Sequence, residues 1–297
     1  MSESLPIIAI TVGDPSGIGP EIAIKAARDP RVTSVCRPVL YGPHSTEEIA
    51  AFPAGEINAE SARAAYDAIV RATEDALAHR VAAIATAPVN KASFAAAGIP
   101  WLGHTDLLAH LCGVTDVAMM FWSEKLSVVL ATIHIPLAQV PAAITVESML
   151  RIIMLTAGSL PRFGMASPRI AVAGLNPHAG EDGLLGHEDA DVIRPAIVEA
   201  QRRGVSVSGP YPADTLFVRA IRGEFDVVIA AYHDQGLVPV KLVAFGHSVN
   251  VTLGLPIIRT SVDHGTAFDI ARKGAADAGS MVEAVTLAAR LARHRET

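Results

Sequence analysis

The feature that most constrains this chain is a series of short segments that are apolar almost throughout. Six of them recur along the 297 residues, at positions 6–12, 37–42, 81–87, 126–133, 169–175 and 226–232. Runs of this kind are typical of strands that a sheet buries on both faces. Helical patterns lie between them, and this alternation predicts an α/β fold with a mainly parallel sheet.

The composition suits a large buried core. Hydrophobic residues make up 51% of the chain and charged residues 18%, enough for two domains or one large α/β domain. No apolar run approaches the roughly 18–20 residues that a membrane span requires. The net charge of −6 argues against a nucleic-acid partner. The first residues resemble a strand rather than a signal peptide, and the two cysteines suit a reducing compartment. We therefore expect a cytoplasmic protein with no nucleic-acid and no membrane partner.

Three helices can be placed from their periodicity and their end signals. Asn58 is the expected N-cap of a helix that reaches Arg80. A second helix occupies the segment 187–204, which ends in two arginines and a glycine. The last helix is expected to run from about Gly279 to Arg293.

The segment around Pro100 resembles a crossing point between domains. We expect a first α/β domain of residues 1–100 plus 276–297. The second α/β domain would comprise residues 101–275 and carry most of the metal and substrate residues.

Histidines follow three of the predicted strands, as His134, His178 and His233. Ligands of open α/β sheets bind beyond the carboxyl ends of the strands, where side chains from neighbouring strands converge. Neutral imidazoles are good ligands for Zn²⁺ and Co²⁺, so the three histidines predict a metal site. The alternative is that each histidine caps a strand or bonds to a carbonyl group, and their spacing alone does not decide between the two.

Further polar residues stand in apolar or glycine-rich surroundings. His104 and Thr105 follow a glycine, and Lys241 lies in an apolar run. Asn250 and Arg259 belong to another largely apolar stretch. Arg259 could hold a phosphate or carboxylate through two parallel hydrogen bonds, or it could form a structural ion pair.

The loop Gly13–Pro20 is rich in glycine and proline, yet its spacing matches neither common nucleotide-binding motif. A tight turn from strand to helix would explain Gly19 and Pro20. It would not explain Asp14, Pro15 and Gly17 as well.

Two motifs resemble the metal-dependent β-decarboxylating dehydrogenases of the isocitrate and isopropylmalate type. These are GDPSGIGPEI, which begins at Gly13, and DHGTAFDIARKGAAD at 263–277, which resembles their dinucleotide-binding loop. A closer resemblance is to the 4-hydroxythreonine-4-phosphate dehydrogenase (PdxA) family of vitamin B6 biosynthesis, which includes D-erythronate and D-threonate 4-phosphate dehydrogenase relatives. It rests on six motifs in the family's order: GHTD, THIPL, GLNPHAGEDG, GPYPADTLF, AYHDQGLVPVKL and VNVTLGLPIIRTSVDHGTA.

The resemblance implies a complete site. It implies two α/β/α domains with mainly parallel sheets and an interdomain cleft, and a homodimer whose active sites are shared between subunits. A divalent metal (Zn, Mg or Co) would bind His134, His178 and His233, with ligands from both subunits. The substrate would contact His104, Thr105, Lys241, Asn250 and Arg259. NAD or NADP would bind at the loop residues Asp263, His264, Gly265 and Thr266.

The implied reaction is the metal-dependent, NAD(P)-linked oxidation and decarboxylation of 4-phosphooxy-L-threonine to 3-amino-2-oxopropyl phosphate. Lys241 would be the catalytic residue that helps to move the alcohol proton. The alternative within the family is a D-erythronate or D-threonate 4-phosphate dehydrogenase of sugar-acid catabolism. Outside it, a metal hydrolase or lyase would use similar histidines, and a non-catalytic sugar-acid binding protein would share the cleft. The segment 42–58 is shorter than the family pattern, which affects the first domain more than the chemistry.

Overall fold

The computed structural model describes residues 5–294. The chain forms two compact units, one of residues up to 117 together with those from 249 onward (unit 1), and one of residues 118–248 (unit 2). Residues 1–4 and 295–297, which belong to the expected first domain, lie outside the described residues.

The unit boundaries differ from the expected division near residues 100 and 275. Leu107 and Leu108 are fully buried in the same core cluster as Ile69 and Ile84, which places this stretch in unit 1. The strand that begins at Arg259 also belongs to unit 1, because it forms parallel hydrogen bonds with the strand that contains Ile84. Several predicted substrate residues therefore lie in unit 1, whereas the three histidines and Lys241 lie in unit 2.

Unit 1 contains five strands among its described residues. Its strands are β1 (Ile7–Thr11), β2 (Arg37–Tyr41), β3 (Ala83–Thr86), β9 (Val249–Leu253) and β10 (Arg259–Ser261). They lie in the order β2–β1–β3–β10–β9, with parallel pairing except between β10 and β9. Its helices are α1 (Gly19–Arg28), α2 (Pro30–Thr33), α3 (Thr46–Ala50), α4 (Ala59–Leu77), α5 (Lys91–Ala96), α6 (His104–Leu111) and α12 (Gly279–Arg293).

Unit 2 contains five further strands among its described residues, most of them paired in parallel. Its strands are β4 (Ala118–Trp122), β5 (Val128–Leu130), β6 (Ile170–Ala173), β7 (Val207–Tyr211) and β8 (Val227–Ala230). Their order is β4–β5–β8–β6–β7, with only β4 and β5 antiparallel among the described pairs. Its helices are α7 (Val140–Ala143), α8 (Val146–Ser159), α9 (Arg194–Arg202), α10 (Ala213–Ile221) and α11 (His233–Ala244).

All six apolar segments form strands, which confirms the main sequence prediction. Five of them are largely buried, because helices cover sheets of this kind on both faces, whereas β2 at the sheet edge is only partly buried. The N-cap prediction is also confirmed, since the Asn58 side chain accepts a hydrogen bond from the Ser61 backbone N–H at 2.8 Å. The last helix spans Gly279–Arg293 as expected. Strands β4, β7, β9 and β10 were not predicted. Polar residues or a proline interrupt the apolar pattern of β7, β9 and β10, whereas β4 is apolar throughout and was missed.

No single helix among residues 5–294 is long and apolar enough to cross a membrane. One pair of consecutive helices, Leu137–Ala143 and Val146–Phe163, reaches the length and apolar composition of a membrane span when the two are counted together. The chain bends by 89° at the break between them.

Close packing explains the glycine-rich loop after β1. A Cβ atom at Gly17 would lie 2.7 Å from the carbonyl oxygen of Thr266, and one at Gly19 would lie 2.2 Å from that of Val12. The Ile18 N–H donates to the Thr266 carbonyl oxygen at 3.0 Å. Glycine is therefore needed at Gly17 because the chain around Thr266 packs directly against it, and at Gly19 because of the Val12 backbone.

We expect Gly17→Ala to lower the free energy of unfolding by roughly 1–3 kcal/mol, because the added Cβ meets backbone that cannot move freely. Gly158→Ala is the matched control, since Gly158 is exposed on α8 with no atom within 4 Å of its Cβ position. That change should be neutral or stabilising by up to about 1 kcal/mol. Urea denaturation measures both, and equal effects would contradict the packing argument.

Candidate functional site

The three predicted metal-ligand histidines follow three adjacent strands of unit 2. Strand β8 lies between β5 and β6, and all three run parallel. His134 follows β5, His233 begins the helix after β8, and His178 follows β6. Parallel strands bring their carboxyl ends to one edge of a sheet, so the three loops share that edge.

Two of these histidines lie side by side. The ring centroids of His134 and His233 are 5.8 Å apart. The Nδ1 atom of His233 lies 2.7 Å from Oδ1 of Asp234, a carboxylate that can orient the ring. A cavity of about 280 Å³ adjoins the pair, lined by Ile133, His134, Ile135, Leu137, Val140, Tyr232, His233 and Asp234.

His178 lies in an unusual turn. Residues His178–Asp182 have left-handed backbone angles, with φ of 53° at His178 and 44° at Glu181. His178 is exposed. Within residues 5–294 of this chain, no group of three or more His, Cys, Asp or Glu side chains is arranged to hold a metal ion. One chain thus brings together two of the three predicted ligands.

Hydrogen bonds hold the strand-end loops of unit 2 to one another. The Thr132 hydroxyl donates to the Ala231 carbonyl oxygen at 2.7 Å, which joins the loops after β5 and β8. Gln235 accepts from the Ala231 N–H at 2.7 Å and donates to the Gly174 carbonyl oxygen at 2.8 Å, which joins the loops after β8 and β6. The histidines therefore stand on a cross-linked edge of the sheet.

Lys241 lies apart from the histidine pair within this chain. It is eight residues after His233 on the same helix, α11, and therefore about 12 Å further along the helix axis. Its Nζ atom lies 5.8 Å from the ring centroid of Phe245, and its side chain is half-buried.

Unit 1 contains a buried cation. Arg259 is only 2% exposed, and its guanidinium donates to the Thr86 hydroxyl from Nε at 3.2 Å and from Nη2 at 2.8 Å. Its Nη1 donates to the Thr252 hydroxyl at 3.0 Å. No acidic side chain in the described part of the chain pairs with Arg259. Because a buried charge is costly unless it is paired, this group is suited to an anionic ligand.

Unpartnered polar atoms lie in the same unit. The Nε2 atom of His104 and the Oδ1 atom of Asn250 are buried and lack hydrogen-bond partners. Burial holds the pKa of His104 well below its ordinary value, and the positive charge of Arg259 lowers it further. Burial also lowers the pKa of Arg259, to about 9. Thr105 follows His104 at the N-terminal end of α6, where backbone N–H groups favour anions.

The predicted cofactor residues form the loop that packs against the glycine-rich loop. Thr266 is buried, whereas His264 and Gly265 are exposed, and no atom lies within 4 Å of a Cβ position at Gly265. Ser280 donates to Oδ1 of Asp263 at 3.5 Å. Asp14, in the glycine-rich loop, is fully buried, and its Oδ2 atom has no hydrogen-bond partner. Burial raises the pKa of this carboxyl group.

Sequence reasoning missed Thr86, Thr252, Gln235 and Asp189. Thr86 and Gln235 stood directly in or after predicted strands, so their position was a usable signal. Nothing in the sequence indicated Thr252, which meets Arg259 only through the antiparallel pairing of β9 and β10. The local sequence pattern also gave no indication of the role of Asp189, because its hydrogen-bond partners lie thirteen and fourteen residues earlier in the chain.

Both units present polar clusters at mainly parallel sheets, an arrangement typical of α/β enzymes. Comparisons with known proteins assign the chain to a family within this class. The family model described as "Pyridoxal phosphate biosynthetic protein PdxA" matches residues 17–288, and the chain belongs to that family.

Relatives match along nearly the whole chain. A 4-hydroxythreonine-4-phosphate dehydrogenase of Desulforapulum autotrophicum is 43% identical, with 97% of this chain and 96% of the relative covered. A D-threonate 4-phosphate dehydrogenase of Cupriavidus necator is 42% identical, covering 99% of this chain and 100% of the relative. The crystal structure of a 4-hydroxythreonine-4-phosphate dehydrogenase from Klebsiella pneumoniae has a TM-score of 0.87 at 40% identity, covering 97% and 99%.

More distant structures bear on the fold alone. A β-decarboxylating dehydrogenase and an isocitrate dehydrogenase, at 18% and 17% identity, align with TM-scores of 0.51 and 0.50. The expected isocitrate/isopropylmalate dehydrogenase-like fold is therefore confirmed.

The depressed pKa of His104 predicts a pH dependence of stability. Below its ordinary value of 6.5 the unfolded chain binds a proton at this residue and the folded chain does not, so stability falls as the pH falls. Between about pH 7.5 and about pH 5.5 this contribution is on the order of 1 kcal/mol, which His104→Gln should remove. Urea denaturation at both pH values measures it, with His110→Gln on the same helix as control. An unchanged slope in His104→Gln would contradict the prediction.

Thr86 should orient Arg259 for anion binding. Thr86→Val keeps the side-chain shape and removes the acceptor of two guanidinium bonds, so we expect the affinity for inorganic phosphate to fall roughly tenfold. Thr86→Ser retains the hydroxyl and should bind as the wild type does. Phosphate-dependent thermal shifts measure both, and equal shifts in wild type and Thr86→Val would refute this role.

Proposed function

We propose that this protein is a metal-dependent, NAD(P)-linked dehydrogenase that oxidises and decarboxylates 4-phosphooxy-L-threonine to 3-amino-2-oxopropyl phosphate in pyridoxal phosphate biosynthesis. The observation that carries the proposal is the buried guanidinium of Arg259, which has hydroxyl partners but no acidic one. A phosphorylated acid supplies the missing negative charge. The names of the relatives at 42–43% identity support the same substrate class.

The anionic ends of the substrate would be bound in unit 1. Arg259 has five N–H donors, and threonine hydroxyls accept from three of them, which leaves two for phosphate or carboxylate oxygens. Thr105, with His104 Nε2 and Asn250 Oδ1, would supply further polar contacts. A phosphate held far from the reacting carbon orients that carbon for hydride transfer.

A divalent metal would be bound by His134, His178 and His233. Two imidazoles that share one ion through bonds of about 2.1 Å have centroids roughly 5–6 Å apart, and the 5.8 Å between His134 and His233 fits this. Imidazole ligands suit Zn²⁺ or Co²⁺ better than Mg²⁺. When bound, the metal lowers the pKa of the substrate alcohol and polarises the ketone formed from it. Asp234 would hold the His233 ring in the orientation that leaves Nε2 for the metal.

A homodimer with shared active sites would complete the set of residues. Within one chain, Lys241 is two turns of helix away from His233, and His178 is not grouped with the other two histidines. The same helix exposes Val238 and Leu242, which are 56% and 81% accessible and lie four residues apart on one face. Phe245, directly after its last residue, is 77% accessible. Exposed apolar side chains on one helix face are typical of a protein interface. A second copy covering this face would bring Lys241 to its partner's site.

The nicotinamide cofactor, NAD or NADP, would bind at the loop Asp263, His264, Gly265 and Thr266. Gly265 is exposed with open space around it, so a flat ligand can approach the backbone closely. Lys241 would accept or pass on the alcohol proton while the hydride leaves for the cofactor.

A second candidate is a D-threonate or D-erythronate 4-phosphate dehydrogenase, supported by the relative from Cupriavidus necator. The two substrate classes share the phosphate and the acid and differ at C2, where one carries an amino group and the other a hydroxyl group. A panel of four-carbon phosphorylated acids with either group, assayed by absorbance of the reduced cofactor with Zn²⁺ or Co²⁺ present, separates them. No cofactor reduction with any member would refute both candidates.

Lys241→Ala should lower kcat by roughly 10²–10⁴-fold with a smaller change in KM, because a proton-transfer group acts on the transition state. Lys125→Ala removes an exposed lysine from the same unit and should leave both constants unchanged. Steady-state kinetics on the preferred substrate measures the split. A raised KM with unchanged kcat would instead make Lys241 a binding residue.

A further inference from the structure

The segment that carries His178 has a backbone conformation that most residues disfavour. From His178 to Asp182, five consecutive residues have φ between 44° and 85°, and only Gly180 among them is a glycine. L-residues in this region are opposed by contacts between Cβ and the backbone. Such a run persists only where surrounding contacts hold it.

Asp189 binds the chain just before this run. Its side chain is 1% exposed, and Oδ1 accepts a hydrogen bond from the Leu175 N–H at 2.8 Å. Oδ2 accepts from the backbone N–H and from the side-chain amide of Asn176, each at 3.0 Å. No basic side chain in the described part of the chain pairs with this carboxylate. Its charge is therefore balanced by N–H groups at the point where the chain enters the turn.

Two glycines, Gly174 and Gly180, let the backbone pack closely against Asp189. A Cβ atom at Gly174 would lie 2.9 Å from Cα of Ala179 and 2.9 Å from Oδ1 of Asp189. At Gly180 it would lie 3.4 Å from Cβ of Asp189. Asp189 also begins a five-residue π-helical turn, Asp189–Ile193, a rare element that occurs frequently at functional sites.

We propose that Asp189 is a positioning residue that holds the left-handed turn and thereby presents the His178 imidazole for metal binding. The inference rests on the proposed function in taking His178 as a metal ligand. The same turn is tied to the loop of His233, because Gln235 donates to the Gly174 carbonyl oxygen. Without the carboxylate the turn relaxes, and metal binding must then reorder His178, which weakens affinity.

The test compares full-length wild type with Asp189→Asn and with Asp191→Asn, an exposed aspartate in the same π-helical turn. Asp189→Asn keeps the shape but places an amide donor against an N–H donor. We expect faster hydrogen exchange at the Leu175 and Asn176 amides of the metal-free protein. We also expect the dissociation constant for Zn²⁺, measured by calorimetry, to rise roughly ten- to hundredfold. Asp191→Asn should match the wild type, and Asp189→Glu should recover part of the affinity.

Two results would overturn the proposal: Zn²⁺ affinity unchanged in Asp189→Asn despite faster exchange, or an equal loss in Asp191→Asn. If Asp189→Asn does not fold, Asn176→Ala serves instead, because it removes one of the three hydrogen bonds to Asp189. Its Zn²⁺ affinity should fall by a smaller factor, and an unchanged affinity would contradict the proposal. If the wild type itself binds no Zn²⁺, the proposed metal function fails. Faster exchange in Asp189→Asn would then still show that Asp189 holds the turn.

Discussion

Parallel pairing of buried strands decides where the polar residues of this protein lie. In unit 2, β8 runs parallel to both β5 and β6, so the loops that carry His134, His178 and His233 leave one edge of the sheet. In unit 1, β3 runs parallel to both β1 and β10, and the glycine-rich loop and the loop after β10 meet in the same way. Since the strands are buried on both faces, their ends are the places where polar chemistry can reach solvent.

The buried charged side chains of Asp189 and Arg259 are satisfied in different ways. The carboxylate of Asp189 accepts three hydrogen bonds from N–H groups, which makes it a structural group with little capacity left. The guanidinium of Arg259 donates only to neutral hydroxyls, and it lies in the unit where His104 and Asn250 keep unpartnered atoms. A satisfied charge orders the chain around it, whereas an unsatisfied one is suited to a ligand.

Much of the fold could be predicted because burial on both faces leaves a continuous apolar signal, as in the strands that begin at Ile7 and Val227. Strand β10 left no such signal, because Arg259 and its polar neighbours are buried by tertiary contacts that no local pattern reports. The histidines could be chosen from their places after strands, and His134 and His233 do lie together. Their role as metal ligands stays a prediction, as do the roles of the substrate and cofactor residues.

By itself the sequence determined the α/β class, the positions of six of the ten described strands, the ends of α12 and the identity of the polar residues that follow those six strands. These features depend on local periodicity and capping, which neighbouring residues encode. Only the tertiary structure decided that residues 101–117 pack in unit 1, that Thr86 and Thr252 hold Arg259, and that the chain around His178 turns left-handed. Those outcomes depend on contacts between residues far apart in the chain, where the cost of an unpaired charge or a strained backbone is balanced by partners that no local pattern identifies.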